Sequence, residues 1–580
     1  MSCVLHEPVA GERLQEALDT TIEDFSVFKC VLRKGFFWNY LEESDIAPIV
    51  KEEYRLPCSQ IYVRDQKSLL FEVTYYKNRI NFETYHALTD GTGAIHFIRT
   101  LVYHYLKLSY PDVVTEPPES LNLDISDEQM EEDGFQKYYL KKNEKIIIPK
   151  YKAHQLHYRK VEYGQMQLTE GVLLTDQVLK LSRNYDTTMT VFLTAVYLKA
   201  ISEDMSMRQK KKPVALMIPV NLRNYFPSGS MRNFFAWIDV GYNFSTQSDK
   251  IEDIIAFVDS FFKKELTKER ISARMHDLMD FEMNPFVRIL PLEVKLFAMQ
   301  IAARLSSQKV TAIFSNVGKI EMPQGCEKYI WYFDVFTTTP KIELAMCSYE
   351  NTTVFSFTSC YTNNHIEQKF FHILEDMELQ AEKINKEETY PDLSAEKSNM
   401  NLLIKSFSFF YLAGAIICGM LNWMISPEVW WSAYVAGALL CMWVMTVVAI
   451  QKRRDIMKNA VWQTLLISIA LIMWDLLTGW KAWSIDFGFP CTIMLSLVVM
   501  LTATLILKLD SPRYMIYFLM VCIYGLIPGI LTLIGMVTVT IPSIICSGIS
   551  LLITLTFLIF QRQAVINELT KKFHINRTNG

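Results

Sequence analysis

The sequence predicts an α/β fold with large mixed sheets and flanking helices, followed by an all-α membrane domain of about six spanning helices. Three observations predict it. Through roughly the first 400 residues, stretches alternating apolar and polar side chains are interleaved with stretches of helical spacing, the mark of a mixed class. After the charged stretch Glu382–Asn401 the chain turns persistently apolar, and a spanning helix needs about 20 mostly apolar residues. At 580 residues, the chain is also too long for a single hydrophobic core.

Taken in order, "SLLFEVTYYKNRINFETYHA" reads as a hairpin turning at Lys77-Asn78-Arg79. Ile80, Phe82, Thr84 and His86 then share a face at the two-residue period, which aims His86 the same way as Phe82. "AIHFIRTLVYHYLKL" places apolar residues three and four apart and reads as a helix, with His96 and His104 as ordinary helix-face residues. Gly91 and Gly93, in the connection, permit backbone angles that other residues resist. Thr115–Lys150 switches from acidic to basic and reads as a solvated crossover between two lobes. "NYDTTMTVFLTAVYLKAI" reads as a helix started by a threonine cap. "PVALMIPVNLR" and "NFFAWIDVGYNF" read as strands joined by "NYFPSGSMR". Four more strands follow in "VTAIFSNVGKIEMP", "WYFDVFTTTP", "IELAMCSYEN" and "TVFSFTSCYTN", and "IEQKFFHILEDMELQAEKI" closes the region as a helix.

Six apolar runs come next, near 406–425, 428–450, 461–480, 487–507, 514–536 and 539–560. Basic residues fall in alternate connections, in "QKRRDIMK", in "KLDSPR" and in the C-terminal tail, while the other connections hold only Lys481. By the positive-inside rule those segments, with the N-terminal region, face the cytoplasm. The chain is thus expected to be a multi-pass cell-membrane protein. Asp475 is the one acid well inside a span, near its outer end, a placement compatible with function, with headgroup contact or with bonding to a neighbouring helix.

Composition narrows the function classes. A net charge of −4 and a pI near 6.3 give no sign of a polyanion-binding or nucleic-acid-binding protein. Eleven scattered cysteines without CxxC or Cys/His spacing predict neither a metal site nor a disulfide framework, and suit a reducing compartment. The first thirty residues are mixed and charged, with no apolar core of a secretory signal expected.

The candidate chemistry lies in "INFETYHALTDGTGAIHF", where His86, four residues before Asp90-Gly91, ends a strand and precedes a helix. This strand–His–loop–Asp-Gly–helix arrangement resembles the chloramphenicol acetyltransferase-like superfamily. That group includes alcohol acetyltransferases, wax-ester synthases, plant acyl-CoA acyltransferases and the condensation domains of peptide synthetases. Two later stretches are similar in the same order: "VNLRNYFPSGSMRNFF", which places Arg223, Asn233 and Phe234, and "FSNVGKI", which places Ser315, Asn316 and Gly318. The resemblance covers essentially residues 1–390. It implies two lobes at 1–165 and 166–385; hydropathy then places a linker at 386–403, a membrane domain at 404–562 and a tail at 563–580.

The resemblance further implies an active site in a tunnel between the lobes. His86 and Asp90 form its catalytic group, with Asp90 turned from the ring to pair with Arg223. Gly91, Arg223 and Asn233 support the site, and Ser315 or Asn316, or a backbone N–H near Gly91, donates to the oxyanion. His86 is the general base, for imidazole titrates near neutrality and can take a proton from an attacking hydroxyl. The implied activity is acyl transfer from a thioester, with acyl-CoA as co-substrate (no bound cofactor) or an acyl-carrier protein, to an alcohol or lipid acceptor. Two features depart from the family: Tyr85 stands where condensation domains carry a further histidine, and the D-F-G-W-G motif of the plant enzymes is missing. The sequence leaves two alternatives open: a six-span transporter or receptor with a non-catalytic acyl-binding domain, and an amide-forming condensation enzyme using carrier-bound substrates.

Overall fold

The computed structural model describes residues 1–63, 66–114, 126–139, 151–161, 165–379, 381–383, 391, 400–453, 455–507 and 511–573. Most of the expected crossover 115–150 and of the linker 386–403 therefore lies outside the described residues. Within that crossover two short helices, Asp127–Glu131 and Gly134–Tyr138, are described. The chain divides into two compact units. The first takes Met1–Arg33, Asn39–Val63 and Lys67–Ala395, and the second contains Glu396–Gly580.

The N-terminal unit is built on strands β1 (Ser2–Leu5), β2 (Cys30–Lys34), β3 (Asn39–Glu43), β4 (Lys51–Glu52), β5 (Phe71–Tyr76), β6 (Arg79–Thr84), β7 (Gln167–Leu174), β8 (Val214–Asn221), β9 (Phe235–Tyr242), β10 (Ala312–Ile320), β11 (Ile330–Asp334), β12 (Ile342–Tyr349), β13 (Thr352–Ser359) and β14 (Glu382–Lys383). A five-stranded sheet runs β11-β1-β6-β5-β4 and a seven-stranded sheet β14-β7-β13-β12-β10-β8-β9, with β2 and β3 forming a ribbon. Both large sheets are mixed: β10 lies parallel to β8 and β12, and β4 parallel to β5. The α/β expectation with large mixed sheets is met. The two sheets do not divide the chain at residue 165, because β11, from beyond residue 330, returns to pair with β1 at the edge of the first sheet.

Each sheet buries its own core. Phe28, Phe71 and Phe82 pack against Phe97 of the helix Gly91–Ser109, with the Phe82 and Phe97 rings 4.4 Å apart. Under the larger sheet, Tyr197 of the helix Met189–Glu203 meets Phe357 and Phe370, and Phe192 of the same helix is buried in that core. That helix starts where its threonine cap predicts, with Thr188 Oγ1 accepting from Val191 N–H. The β5–β6 turn is tighter than the sequence suggests. Lys77 takes a positive φ of 49° and Arg79 already belongs to β6, buried against Glu53 at 2.5 Å.

Among the described residues, the C-terminal unit has six helices long and apolar enough to cross a membrane: Leu403–Ile425, Trp431–Lys452, Ile456–Leu477, Ser484–Ile506, Tyr514–Leu533 and Thr540–Phe560. Their bounds agree with the expected runs to within a few residues. Asp475 is fully buried, and its carboxylate accepts from Lys481 N–H (2.8 Å), Ser484 N–H (3.1 Å) and Ser484 Oγ (2.8 Å). It ties down a connection in which Gly479, Trp480 and Ala482 all have positive φ, and Ser484 opens the next apolar helix, so bonding to a neighbouring helix, one of the three expected placements, is the one observed.

Candidate functional site

His86 does not follow the period of β6. The strand stops at Thr84, and Tyr85–Leu88 form a turn closed by Leu88 N–H on the Tyr85 carbonyl at 2.8 Å. The alternation that would bury the ring beside Phe82 is broken, and His86 is exposed instead. This corrects the face expected from periodicity, and it leaves the imidazole reachable.

Asn233, 147 positions away in sequence, holds the ring. Its Nδ2 donates to the His86 carbonyl oxygen at 2.7 Å and its Oδ1 lies 3.1 Å from His86 Nδ1. A carbonyl oxygen can only accept, so the amide nitrogen must face it and Oδ1 must face the ring. Oδ1 can only accept in turn, so Nδ1 carries the hydrogen and Nε2 keeps the basic lone pair. The Phe235 ring, at 5.5 Å, lies beside the imidazole.

Asp90 is turned away from this arrangement. Its side chain is buried and caps the helix Gly91–Ser109, with Oδ1 accepting from Thr92 N–H (3.1 Å) and Gly93 N–H (3.2 Å). Oδ2 accepts from Arg223 Nη1 (2.7 Å) and Phe234 N–H (2.8 Å). These four bonds account for the carboxylate, so Asp90 is turned from the ring and shapes the loop. Arg223 does the same from the other side, donating to the carbonyls of Ser230 (2.7 Å) and Arg232 (2.8 Å). Its guanidinium thereby fixes the segment that delivers Asn233.

Further latches went unread in the sequence. Thr89 Oγ1 donates to the Met231 carbonyl at 2.6 Å, and Asn221 Nδ2 donates to Thr92 Oγ1 at 3.1 Å. Short polar residues in loops carry no pattern that would single them out. The glycines also divide differently from expectation. A Cβ on Gly93 would lie 2.1 Å from Thr89 Oγ1 and 2.7 Å from the Met231 carbonyl, whereas one on Gly91 would meet open space, and neither has a positive φ. Gly93 is therefore demanded by close approach, and Gly91 is demanded by neither space nor backbone. The Gly91 N–H, first in the helix, is not among those bound by the Asp90 carboxylate.

The remaining residues lie apart from this hydrogen-bonded set. On β10, Asn316 Nδ2 donates to Thr190 Oγ1 (2.8 Å) and Oδ1 accepts from Gly318 N–H (2.9 Å), where the strand register shifts and Gly318 has φ 94°. The amide is committed to bracing that irregularity. Ser315, half-buried, precedes it on the same strand. His96, on the helix after the loop, is closer to the site than its helix-face reading suggested. Burial, with the Arg99 and Arg223 charges, pushes its imidazole down to about 4, so it stays uncharged near the Asp90–Arg223 pair.

Comparison with known proteins adds the following. Residues 390–575, about a third of the chain, match the model of a family of unknown function (DUF6320). No curated protein matches significantly. Among solved structures, the chain is similar to polyketide synthase associated protein 5 from Mycobacterium tuberculosis, at 14% identity and a TM-score of 0.42, covering 64% of this chain and 91% of that one. It is similar to F. graminearum TRI101 complexed with coenzyme A and deoxynivalenol, at 10% identity and a TM-score of 0.43, covering 66% and 95%. It is also similar to the epimerization domain of tyrocidine synthetase B, at 10% identity and a TM-score of 0.40, covering 65% and 91%.

Proposed function

We propose that the protein is a membrane-anchored acyltransferase in which His86 Nε2 is the general base. One observation carries this reading: Asn233 binds both the His86 carbonyl and Nδ1, which directs the basic nitrogen of an exposed ring outward. Imidazole beyond the end of a strand, held in one tautomer and open to a second molecule, is suited to proton transfer at neutral pH.

The reaction follows from that nitrogen. An acceptor hydroxyl gives its proton to Nε2 as its oxygen attacks the thioester carbonyl. The tetrahedral intermediate collapses, the C–S bond breaks, and the proton returns from Nε2 to the leaving thiolate. Such a base contributes typically 10²–10⁴ in rate. The developing oxyanion needs a donor. The Gly91 N–H, which the Asp90 carboxylate leaves unbound, suits that role better than Asn316, whose amide is already engaged. The donor is an acyl-CoA or an acyl-carrier protein, and the acceptor is an alcohol or lipid, met at high local concentration by an enzyme carrying six spans.

Substitution separates chemistry from architecture. His86→Ala, in membranes supplied with acyl-CoAs and alcohols, is expected to abolish release of free CoA while leaving the thermal unfolding midpoint unchanged, since the ring is exposed. Arg223→Ala should lower both, because it strands a buried carboxylate, a loss of about 3–5 kcal/mol. Full transfer by His86→Ala would refute the proposal.

A further inference from the structure

In the N-terminal unit, the helices Pro285–Ile289 and Leu292–Ser307 follow one another across Leu290-Pro291. The base of this segment is anchored: Leu292 and Lys295 are buried, and Lys295 Nζ donates to the Arg288 carbonyl at 3.1 Å. From Phe297 to Ser307 every residue is exposed, so the helix stands clear of the domain on all sides. Most of its side chains are nevertheless apolar, Gln300, Arg304 and the two terminal serines excepted. Phe286 is 78% exposed, Ile289 69%, Phe297 66% and Leu305 61%, with Val294 and Ile301 at about half.

Soluble domains rarely present so continuous an apolar surface to water. Glu293, Gln300, Arg304 and Ser307 recur on one face of the longer helix and apolar residues fill most of the rest, the pattern of a helix lying in a membrane interface with its apolar side in hydrocarbon. Charge points the same way: within residues 285–309, Arg288, Lys295, Arg304 and Lys309 stand against Glu293 alone, a balance that favours anionic headgroups. At 1.5 Å per residue the longer helix measures about 24 Å, short of the ~30 Å hydrocarbon core, so it fits within one leaflet but cannot span. A bilayer is also at hand. Six helices of the same chain are long and apolar enough to cross one, and the residues between Lys383 and Met400 reach at most about 60 Å in any conformation.

We infer that the helical segment 285–307 inserts into one leaflet of an anionic bilayer, with Arg288, Arg304 and Lys309 at the headgroup phosphates. The inference stands whether or not the protein transfers acyl groups. It is tested with the full chain in nanodiscs of phosphatidylcholine and phosphatidylglycerol doped with a phospholipid bearing a diazirine on its acyl chain. After photolysis, mass spectrometry should find lipid adducts on peptides covering Phe286–Leu305 as well as on the spans. In a second arm, a bimane label on Phe297→Cys should be quenched by chain-brominated lipids at least about threefold more than one on Lys264→Cys, each measured against the unsubstituted chain. Adducts confined to the spans would overturn the inference, as would equal quenching at the two positions. A cross-link between two copies at Phe297→Cys without lipid adducts would also overturn it, and would assign the segment to self-association.

Discussion

Asn233 sets the chemical state of His86, and this is testable by changing one atom. Asn233→Asp keeps an acceptor toward Nδ1–H but replaces a neutral oxygen by a charged one and removes the donor to the His86 carbonyl. The added negative charge favours the imidazolium over the neutral ring. A base that stays protonated to higher pH is inactive to higher pH. The acidic limb of kcat/KM should therefore move upward by roughly one pH unit, measured as a rate–pH profile; an unmoved limb would exclude this residue from control of the base. The two glycines give a second contrast at this scale. Gly93→Ala forces a methyl onto Thr89 Oγ1 and the Met231 carbonyl and should destabilise by about 1–3 kcal/mol. Gly91→Ala meets nothing and should be neutral or stabilise by up to ~1 kcal/mol through the unfolded chain. Paired thermal melts read the difference. At this scale the sequence was informative about which residues gather and poor on how. His86, Asp90, Arg223 and Asn233 were all marked by motif resemblance. The tautomer, and the demand for Gly93 rather than Gly91, depend on distances between segments some 140 positions apart, which no local pattern encodes.

Elements make the site by meeting, and the loop after β6 is held by bonds to the segment between β8 and β9 more than by its own hydrogen bonds. Strands were legible wherever a face was buried, as in β5, β6, β12 and β13, because burial imposes the two-residue period. That same rule misplaced His86, since a turn at Tyr85–Leu88 resets side-chain direction and leaves no apolar signature. The four helices between Ile251 and Ser307 had no counterpart in the sequence reading. In the last two, the usual contrast of a buried stripe and a polar face is missing, for apolar residues there point outward. On β12 an acid is buried where strand logic expects an apolar side chain. Glu343 is 5% exposed, and burial pushes its carboxyl up to about 8 from an ordinary 4.5. A raised pKa means the fold favours the protonated form, so this contribution is complete below pH 4.5 and is lost as pH rises through about 8. Lys341, two residues earlier, is pushed down to about 8 by burial. Its contribution is present above about pH 10.5 and lost as pH falls through 8, so it adds little slope below pH 7. Between pH 5.5 and 7.5, wild-type stability should fall relative to Glu343→Gln, by up to about 1.4 kcal/mol per pH unit. Parallel melting curves at the two pH values check this; equal pH slopes for both proteins would count against a buried, protonated Glu343.

For the whole molecule, the division between an α/β unit and an apolar helical unit was the plainest feature of the sequence, because a membrane demands unbroken apolar length that few soluble segments imitate. Six crossings are an even number, so the N-terminal unit and the helix Arg562–Phe573 must share one side if all six helices span. Which side follows from charge. Lys452, Arg453 and Lys458 flank the connection between the second and third helices, and Arg562, Lys571 and Lys572 follow the sixth, whereas the connection after the third offers Lys481 alone. Basic connections are retained on the cytoplasmic face, which would place His86 where acyl thioesters are made and thiols stay reduced. In right-side-out cells, Lys481→Cys should therefore gain labelling by a membrane-impermeant maleimide over the unsubstituted chain, while Gln563→Cys should gain it only after the membrane is opened. The reverse pattern would move His86 to the outer face, away from any pool of CoA thioesters, and would leave the exposed imidazole without a donor.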